Sequence, residues 1–215
     1  MKSDSLAKIV LDRNLHQLSV RAKFFATGIQ LFSESESKLP TVDDVVRSVG
    51  LSRATFYNYF RDMEAYVHFL VDESLGRLVM EVDETHADAT DPLDRIARAV
   101  CVCIRYSLDH PHEINLMSRF CRAQLSNESR LAIKFSEDLI AAMLSGQIPE
   151  TSLESAVCIV LGAASIAMFQ LANRPDGWDT MTVAEFLVAG LLSGLGAADE
   201  ISAALAARSV RVVLV

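Results

Sequence analysis

The chain has 215 residues, of which 51% are hydrophobic and 22% are charged, and its formal net charge is −8. This composition excludes an intrinsically disordered chain, and the length leaves room for one domain or two modest ones. The acidic balance speaks against nucleic-acid binding by the chain as a whole. The charge is unevenly distributed, however: residues 1–70 hold nine Lys and Arg against eight Asp and Glu, whereas residues 71–215 hold 11 against 20. A small DNA-binding head on an acidic body would show this distribution.

Helical spacing recurs along the chain, and no segment shows convincing strand alternation. The first residues include acids and no small-residue cleavage site, so a secretory signal is not expected and the predicted location is the cytoplasm. Apolar residues at steps of three and four then predict a first amphipathic helix, namely Leu15, Leu18, Ala22, Phe25, Ile29 and Phe32. The stretch SESESKLP predicts a loop after it.

Two short helices joined by a tight turn are predicted next. Thr41 and Asp44 predict a capping box at the start of the first one, and Gly50 supplies the left-handed residue that ends it. Ser52 is expected to cap the second, which runs over residues 53–59. The two lengths and the turn have the spacing of a helix-turn-helix.

The second short helix belongs to the segment GLSRATFYNYF, in which residues 56–60 include four aromatics. Phe56 and Phe60 are four residues apart and are expected to face the domain core, which leaves a polar outer side. The residues suited to base edges are Arg53, Ala54, Thr55 and Asn58. Those suited to phosphate are Thr41, Ser52, Tyr57 and Tyr59. The alternative is a helical hairpin inside a larger bundle, in which the aromatics are simply packed.

Asp62 is expected to cap a long helix that continues toward His86. The domain boundary is placed at its start, between a DNA-binding domain of residues 1–61 and a second domain of residues 62–215. Residues 45–61 contain three arginines and no acid, so this part of the head is expected to be basic.

The run from Arg21 to about Leu70 resembles the DNA-binding domain of the TetR family of transcriptional regulators. The resemblance is carried by the pair Leu31-Phe32, by TVDDVVRSVGLSRATFYNYF and by the long helix after it. It implies an all-α protein of about nine or ten helices that binds a palindromic double-stranded DNA operator as a homodimer. It also implies a small-molecule effector that tilts the long helix and releases the protein, with repression as the family default.

Three positions depart from the family pattern. Val46 stands where the family usually has Ala, and SESESKLP replaces a linker that commonly carries a Gly before Thr41. Met63 stands near the start of the long helix, where the family often has a Lys that contacts phosphate. Arg61 is therefore the substitute candidate for that contact.

The remaining residues predict the helices of the body. Asp91 before a proline marks one helix start, and capping boxes are predicted at Thr151 with Glu154 and at Thr182 with Glu185. The tail, residues 209–215, is compatible with a strand, a packed arm or disorder.

A ligand pocket is expected among the middle helices, because soft and aromatic side chains line adaptable apolar pockets. The candidates are Arg105, Tyr106, Met117, Phe120, Phe135 and Met143. Arg105 and Arg119 suggest either an anionic group on the ligand or salt bridges with Glu113, and plain core packing remains the alternative for the apolar members.

The last two strong helices are apolar on more than one face, which predicts a dimer surface. The candidates are Val157, Val160, Ala164, Leu187 and Leu191, and the alternative is that these helices form the core of a monomer. The apolar run from Ala156 to Phe169 is shorter than the roughly 20 residues of a bilayer span, so a buried helix and no membrane association are expected.

No motif predicts an enzyme, a cofactor or a metal site. His110, His112 and Glu113 surround a proline turn, and His68 with Asp72 lacks a third ligand. The four cysteines, Cys101, Cys103, Cys121 and Cys158, have no CxxC spacing and are expected to be reduced and buried, with redox sensing left open. The alternative function is an all-α sensor or scaffold without specific DNA binding.

Overall fold

A computed structural model describes residues 18–33, 39–86, 88–120, 129–174 and 179–215. Every regular element in these ranges is a helix, which confirms the predicted all-α class. The helices are α1 (18–33), α2 (Val42–Val49), α3 (Arg53–Tyr59), α4 (Met63–His86), α5 (Pro92–Asp109), α6 (Pro111–Phe120), α7 (Arg130–Leu144), α8 (Leu153–Ala172), α9 (Thr180–Gly194) and α10 (Asp199–Val213).

The chain divides into two compact units, Met1–Glu73 and Ser74–Val215, and α4 contributes residues to both. We call the first unit the head and the second the body. The predicted loop SESESKLP lies mostly outside the described residues, as do Leu15 and Cys121.

The head is built around a cluster of aromatic rings. Phe24 of α1 is buried, and its ring centroid lies 6.0 Å from that of Phe56 and 5.2 Å from that of Phe60. The hydroxyl of Tyr66 on α4 donates to the Phe24 carbonyl at 2.7 Å. These contacts fix α1, α3 and α4 to one another, because edge-to-face aromatic pairs add a directional preference to the burial of their area.

The buried face of α1 differs from the predicted one. Phe25 and Phe32 are buried as expected, but Leu18 and Ala22 are exposed and Phe24 lies at the centre of the core. Leu18 and Ala22 lie on a neighbouring side of the same helix. The side that carries Phe24 is buried because the aromatic ring removes more apolar area from water.

The caps of the head helices are those predicted. Thr41 and Asp44 form a capping box, and Gly50 ends α2 with φ of 73°, a left-handed conformation that favours glycine. The Ser52 hydroxyl accepts from the Thr55 amide at 3.1 Å, and the Asp62 carboxylate accepts from the Ala65 amide at 2.8 Å.

Two predicted caps in the body are wrong. Ser152, not Thr151, caps α8, and its hydroxyl also donates to the Glu154 carboxylate at 2.8 Å. Asp179, not Thr182, caps α9, since its carboxylate accepts from two backbone amides of the first turn. In both cases a second residue of the capping type stands near the predicted cap, and the helix starts after that residue instead. The tail continues α10 as helix through Val213.

The core of the body surrounds α5, most of whose side chains are buried. This helix packs against α6, α7, α8, α9 and α10. By length and composition α8 could cross a membrane, but it packs against four other helices of the body. Cys101 and Cys103 lie in the α5 core, where burial raises the pKa of each thiol to about 12. Cys158 is exposed on α8, so the prediction that it is buried is wrong.

Candidate nucleic-acid interface and ligand cavity

The short helix α3 has a buried side and an outer side of polar character. Phe56 faces the aromatic core, as does Phe60 just after the helix. On the outer side Arg53, Ala54 and Asn58 are exposed, and 55% of the Tyr57 surface is accessible. A helix wholly inside a bundle would bury these residues, so this arrangement favours a recognition helix over a packed hairpin.

The other candidate DNA contacts are either partly buried or already hydrogen-bonded within the head. Thr55 and Tyr59 are half-buried, whereas Thr41 and Ser52 are exposed at the starts of α2 and α3. The Thr41 hydroxyl donates to the Asp44 carboxylate at 2.6 Å, so it already has a partner within the capping box. The Ser52 and Thr55 hydroxyls lie 2.9 Å apart.

Arg53 has a partner that the sequence pattern did not indicate. Its Nε donates to Oδ1 of Asp43 on α2, and its Nη2 donates to Oδ2 of the same carboxylate. The hydrogen bond from Arg53 holds the pKa of Asp43 below its usual range, and the same contact raises the pKa of Arg53. The two residues are ten apart in the chain and meet because α2 and α3 pack together. Residue spacing within one helix therefore could not predict this pair.

Arg61 is also paired. Its Nε donates to the Asp62 carboxylate at 2.7 Å, and this hydrogen bond raises the pKa of Arg61. The side chain is nevertheless highly exposed, so it is sterically free to reach a phosphate. Met63, the first residue of α4, is half-buried.

The body contains an apolar cavity of about 390 Å³. Its described walls come from α4, α6, α7 and α8 and from the cap of α7: Leu75, Leu78, Ile114, Met117, Ser118, Ser129, Leu131, Leu161, Ser165, Ile166, Met168 and Phe169. None of these residues is charged, and three serines supply the polar groups. A cavity of this size and lining suits a small, mostly apolar molecule.

Of the six predicted pocket residues, Met117 lines this cavity. Tyr106 and Phe135 are buried elsewhere in the core, and Phe120 and Met143 are half-buried. Arg105 donates to the Glu81 carboxylate at 2.9 Å and to the Val213 carbonyl at 3.3 Å. The expected salt bridge of Arg105 therefore exists, but with Glu81 in place of Glu113.

A polar cluster with Tyr106 and Glu113 buried at its centre lies beside the cavity. The Tyr106 hydroxyl donates to Oε2 of Glu113 at 2.5 Å, while Arg77 and His110 lie 3.7 Å and 3.5 Å from Oε1. Burial, and then the hydrogen bond with Glu113, raise the pKa of Tyr106. Glu113 stands next to the cavity residue Ile114 on α6, and Arg77 stands next to the cavity residue Leu78 on α4. The cluster therefore connects two of the helices that form the cavity wall. Within the described residues no group of three or more His, Cys, Asp or Glu could hold a metal ion.

The predicted dimer residues are mostly core residues. Val157, Val160, Ala164 and Leu191 are buried within one chain, and Leu187 is half-buried. The outward stripes of α8 and α9 hold other apolar residues, including Ile159, Ile166 and Phe186, the last with 83% of its surface accessible. Composition could not separate the two faces because both are apolar, whereas the packing of α8 on α5 shows which one is inside.

Comparisons with known proteins agree with this architecture. No protein-family model matches the chain. A protein of Mycobacterium tuberculosis (strain H37Rv) described as the uncharacterized HTH-type transcriptional regulator Rv1255c is 26% identical over 162 residues, which cover 74% of this chain and 79% of that one. The fold and the head thus define a helix-turn-helix protein.

Solved structures give the fold more specifically. The structure of RolR with resorcinol has a TM-score of 0.63 at 16% identity and covers 91% of this chain and 96% of its own. A TetR-family regulator from Marinobacter aquaeolei VT8 has a TM-score of 0.65 at 16% identity, covering 91% and 97%. FadR from Bacillus subtilis, solved with stearoyl-CoA, has a TM-score of 0.65 at 15% identity, covering 80% and 98%. The chain has the fold of the TetR-family regulators, and the resemblance found in its sequence is confirmed.

We expect Tyr106→Phe to destabilise the protein more than Tyr66→Phe. Both hydroxyls are buried donors. The Tyr66 hydroxyl has a backbone carbonyl as its acceptor, whereas the Tyr106 hydroxyl lies 2.5 Å from the buried Glu113 carboxylate and 3.1 Å from the Ser74 carbonyl. Hydrogen bonds to charged groups contribute about 1.5–3 kcal/mol and neutral ones about 0.5–1.5 kcal/mol. Urea unfolding followed by circular dichroism measures both losses, and equal losses would contradict a charged partner for Tyr106.

Proposed function

We propose that the protein is a ligand-responsive transcriptional regulator, a repressor that binds a palindromic operator as a homodimer and is released by a small molecule. The observation that carries this proposal is the outer side of α3, where Arg53, Tyr57 and Asn58 are exposed while Phe56 anchors the helix. DNA binding is assigned to residues 1–61 and ligand binding with dimerisation to residues 62–215. A cytoplasmic, non-enzymatic protein fits this role and the names of its relatives.

The DNA contacts fall into two groups. Arg53, Ala54, Thr55 and Asn58 are the proposed base readers in the major groove. Thr41, Ser52, Tyr57, Tyr59 and Arg61 are the proposed phosphate contacts, which fix the register without reading sequence. Arg61 reaches phosphate by exchanging its neighbour Asp62 for the DNA backbone.

The double variant Tyr57→Ala with Asn58→Ala should lose specific DNA binding. Genomic fragments bound by the wild type are sequenced, and affinities are measured across a salt series. The wild type should lose about 10³-fold or more in affinity between 50 and 200 mM salt if a dimer makes six to ten phosphate contacts. Because both residues are exposed, the helix content should not change.

The matched control is Leu18→Ala, which removes an exposed side chain on another helix of the head. It should bind as the wild type does. Specific binding retained by the double variant would remove α3 from the reading role. A wild type that selects no fragment even at low salt would favour the second candidate, an all-α sensor or scaffold without specific DNA binding, which the apolar cavity of the body supports.

A homodimer is proposed because one head makes few contacts, whereas two heads related by a two-fold axis reach successive major grooves about 34–36 Å apart. The proposed surface is the outward side of α8 and α9 with Ile159 and Phe186. Gly162 and Gly190 have open space above them on these helices, which permits close approach of a second copy. Exposed apolar area of this kind is costly in water unless a partner covers it.

Phe186→Glu should convert a dimer into a monomer, because it places a charge in the centre of an apolar contact. Light scattering should give the mass of two chains for the wild type and of one for the variant. Operator affinity should fall by about 100-fold or more, because the two heads then bind independently. Leu144→Glu, at an exposed position on α7, is the control and should stay dimeric. A monomeric wild type would contradict the proposed surface.

The effector is proposed to bind in the cavity of the body. Its described walls carry serine hydroxyls and no charge, so an uncharged, mostly apolar molecule fits them. Ligands are present in the RolR and FadR structures, resorcinol and stearoyl-CoA respectively, which supports a ligand-responsive body. Since α4 supplies Leu75 and Leu78 to the wall and belongs also to the head, a ligand that displaces α4 would act on DNA binding.

The charge requirement is testable with two ligands of one ring system. We expect 2-naphthol to raise Tm by several degrees at saturating concentration and 2-naphthoate to have little effect, since only the second brings a carboxylate into the cavity. Leu161→Trp fills the cavity and should remove the response, whereas Leu144→Trp on the surface should keep it. Equal responses to the two ligands would contradict an uncharged site.

A further inference from the structure

The contact between Arg53 and Asp43 uses one defined edge of the guanidinium group. Nε and Nη2 each donate to one oxygen of the carboxylate, which is the side-on arrangement. A guanidinium has five N–H donors in a rigid plane. After the side-on pair is made, the end-on edge formed by Nη1 and the second proton of Nη2 still has two parallel donors.

Those two donors match a particular base. Guanine presents O6 and N7 as adjacent acceptors in the major groove, and a bidentate arginine is its commonest specific partner. Arg53 is the first residue of α3, and most of its side chain is exposed on the outer side of the head. The side-on contact with Asp43 therefore leaves the guanine-reading edge available.

We propose that Asp43 is a specificity-determining residue of the head: it holds Arg53 side-on so that the end-on edge meets a guanine of the operator. The inference rests on the proposed DNA-binding function and adds a base and a positioning residue to it. Asp43 itself does not contact the base.

Two physical effects give Asp43 this role. A free arginine side chain samples many rotamers and binds any nearby phosphate. A guanidinium group held by a carboxylate instead has its orientation set before DNA binds. The carboxylate also repels phosphate oxygens, so it disfavours the use of Arg53 as a non-specific backbone contact. Both effects raise discrimination between sequences more than they raise affinity.

The test is a double-mutant cycle on discrimination. The best duplex selected by the wild type is compared at fixed salt with duplexes in which single G·C pairs are replaced by A·T. The proteins are wild type, Asp43→Asn, Arg53→Ala, the double variant and Glu64→Gln. The last is the charge-matched control, because Glu64 is a highly exposed acid of the head whose side chain lies apart from the Arg53 contact. Circular dichroism verifies that each variant is folded.

At one guanine of each half-site we expect the affinity of the wild type for the G·C duplex to exceed its affinity for the A·T duplex by about 5- to 150-fold. Arg53→Ala should abolish this preference, Asp43→Asn should reduce it at least about threefold, and the double variant should equal Arg53→Ala. Asp43→Asn and Glu64→Gln should both bind a scrambled duplex slightly more tightly, since each removes a negative charge. Only Asp43→Asn should lose discrimination.

Three outcomes would overturn the inference alone. Asp43→Asn could keep the wild-type discrimination while Arg53→Ala loses it, in which case Arg53 reads without help. Asp43→Asn could tighten both duplexes equally and beyond Glu64→Gln, in which case Asp43 only holds Arg53 away from DNA. Arg53→Ala could keep the preference, in which case another residue reads the guanine. A wild type without any sequence preference would overturn the proposed function and this inference together.

Discussion

The contact on which the head depends is that of the Phe24 ring with Phe56 and Phe60. These three side chains are buried together, and the Tyr66 hydroxyl ties the backbone at Phe24 to α4. A helix of seven residues has little stability of its own, because nucleation is costly and few hydrogen bonds form. The orientation of α3 is therefore set by its apolar side, and its outer side is free to carry exposed polar residues such as Arg53 and Asn58.

The sequence was most informative where structure is local. The capping residues of the head, the left-handed Gly50 and the spacing of Phe56 and Phe60 depend on neighbours within four residues, and they are observed as predicted. The misplaced caps of α8 and α9 show the limit of such signals, since Ser152 and Asp179 satisfy the same rule as the residues chosen. Local rules identify a helix start more securely than the particular residue that caps it.

Charge and packing were less predictable because they depend on the fold. Residues 45–61 contain no acid in sequence, yet the fold brings Asp43 of α2 to Arg53 of α3, and their charges neutralise each other. Four of the five dimer candidates are buried within one chain for a related reason: α8 is apolar on both sides, and only its packing on α5 separates the core side from the exposed side. The cavity could not be predicted either, since a space between four helices is a property of their arrangement.

Gly28 limits which residues α1 can carry where it approaches α4. A Cβ at this position would lie 2.4 Å from the Tyr66 hydroxyl oxygen and 2.7 Å from the Leu70 side chain, so α1 and α4 approach as closely as glycine permits. Any larger residue would separate the two helices and move the Phe24 ring on which α3 rests. A position on α1, outside α3, thus influences the orientation of α3, and changes there would alter the proposed operator binding without touching a proposed DNA contact.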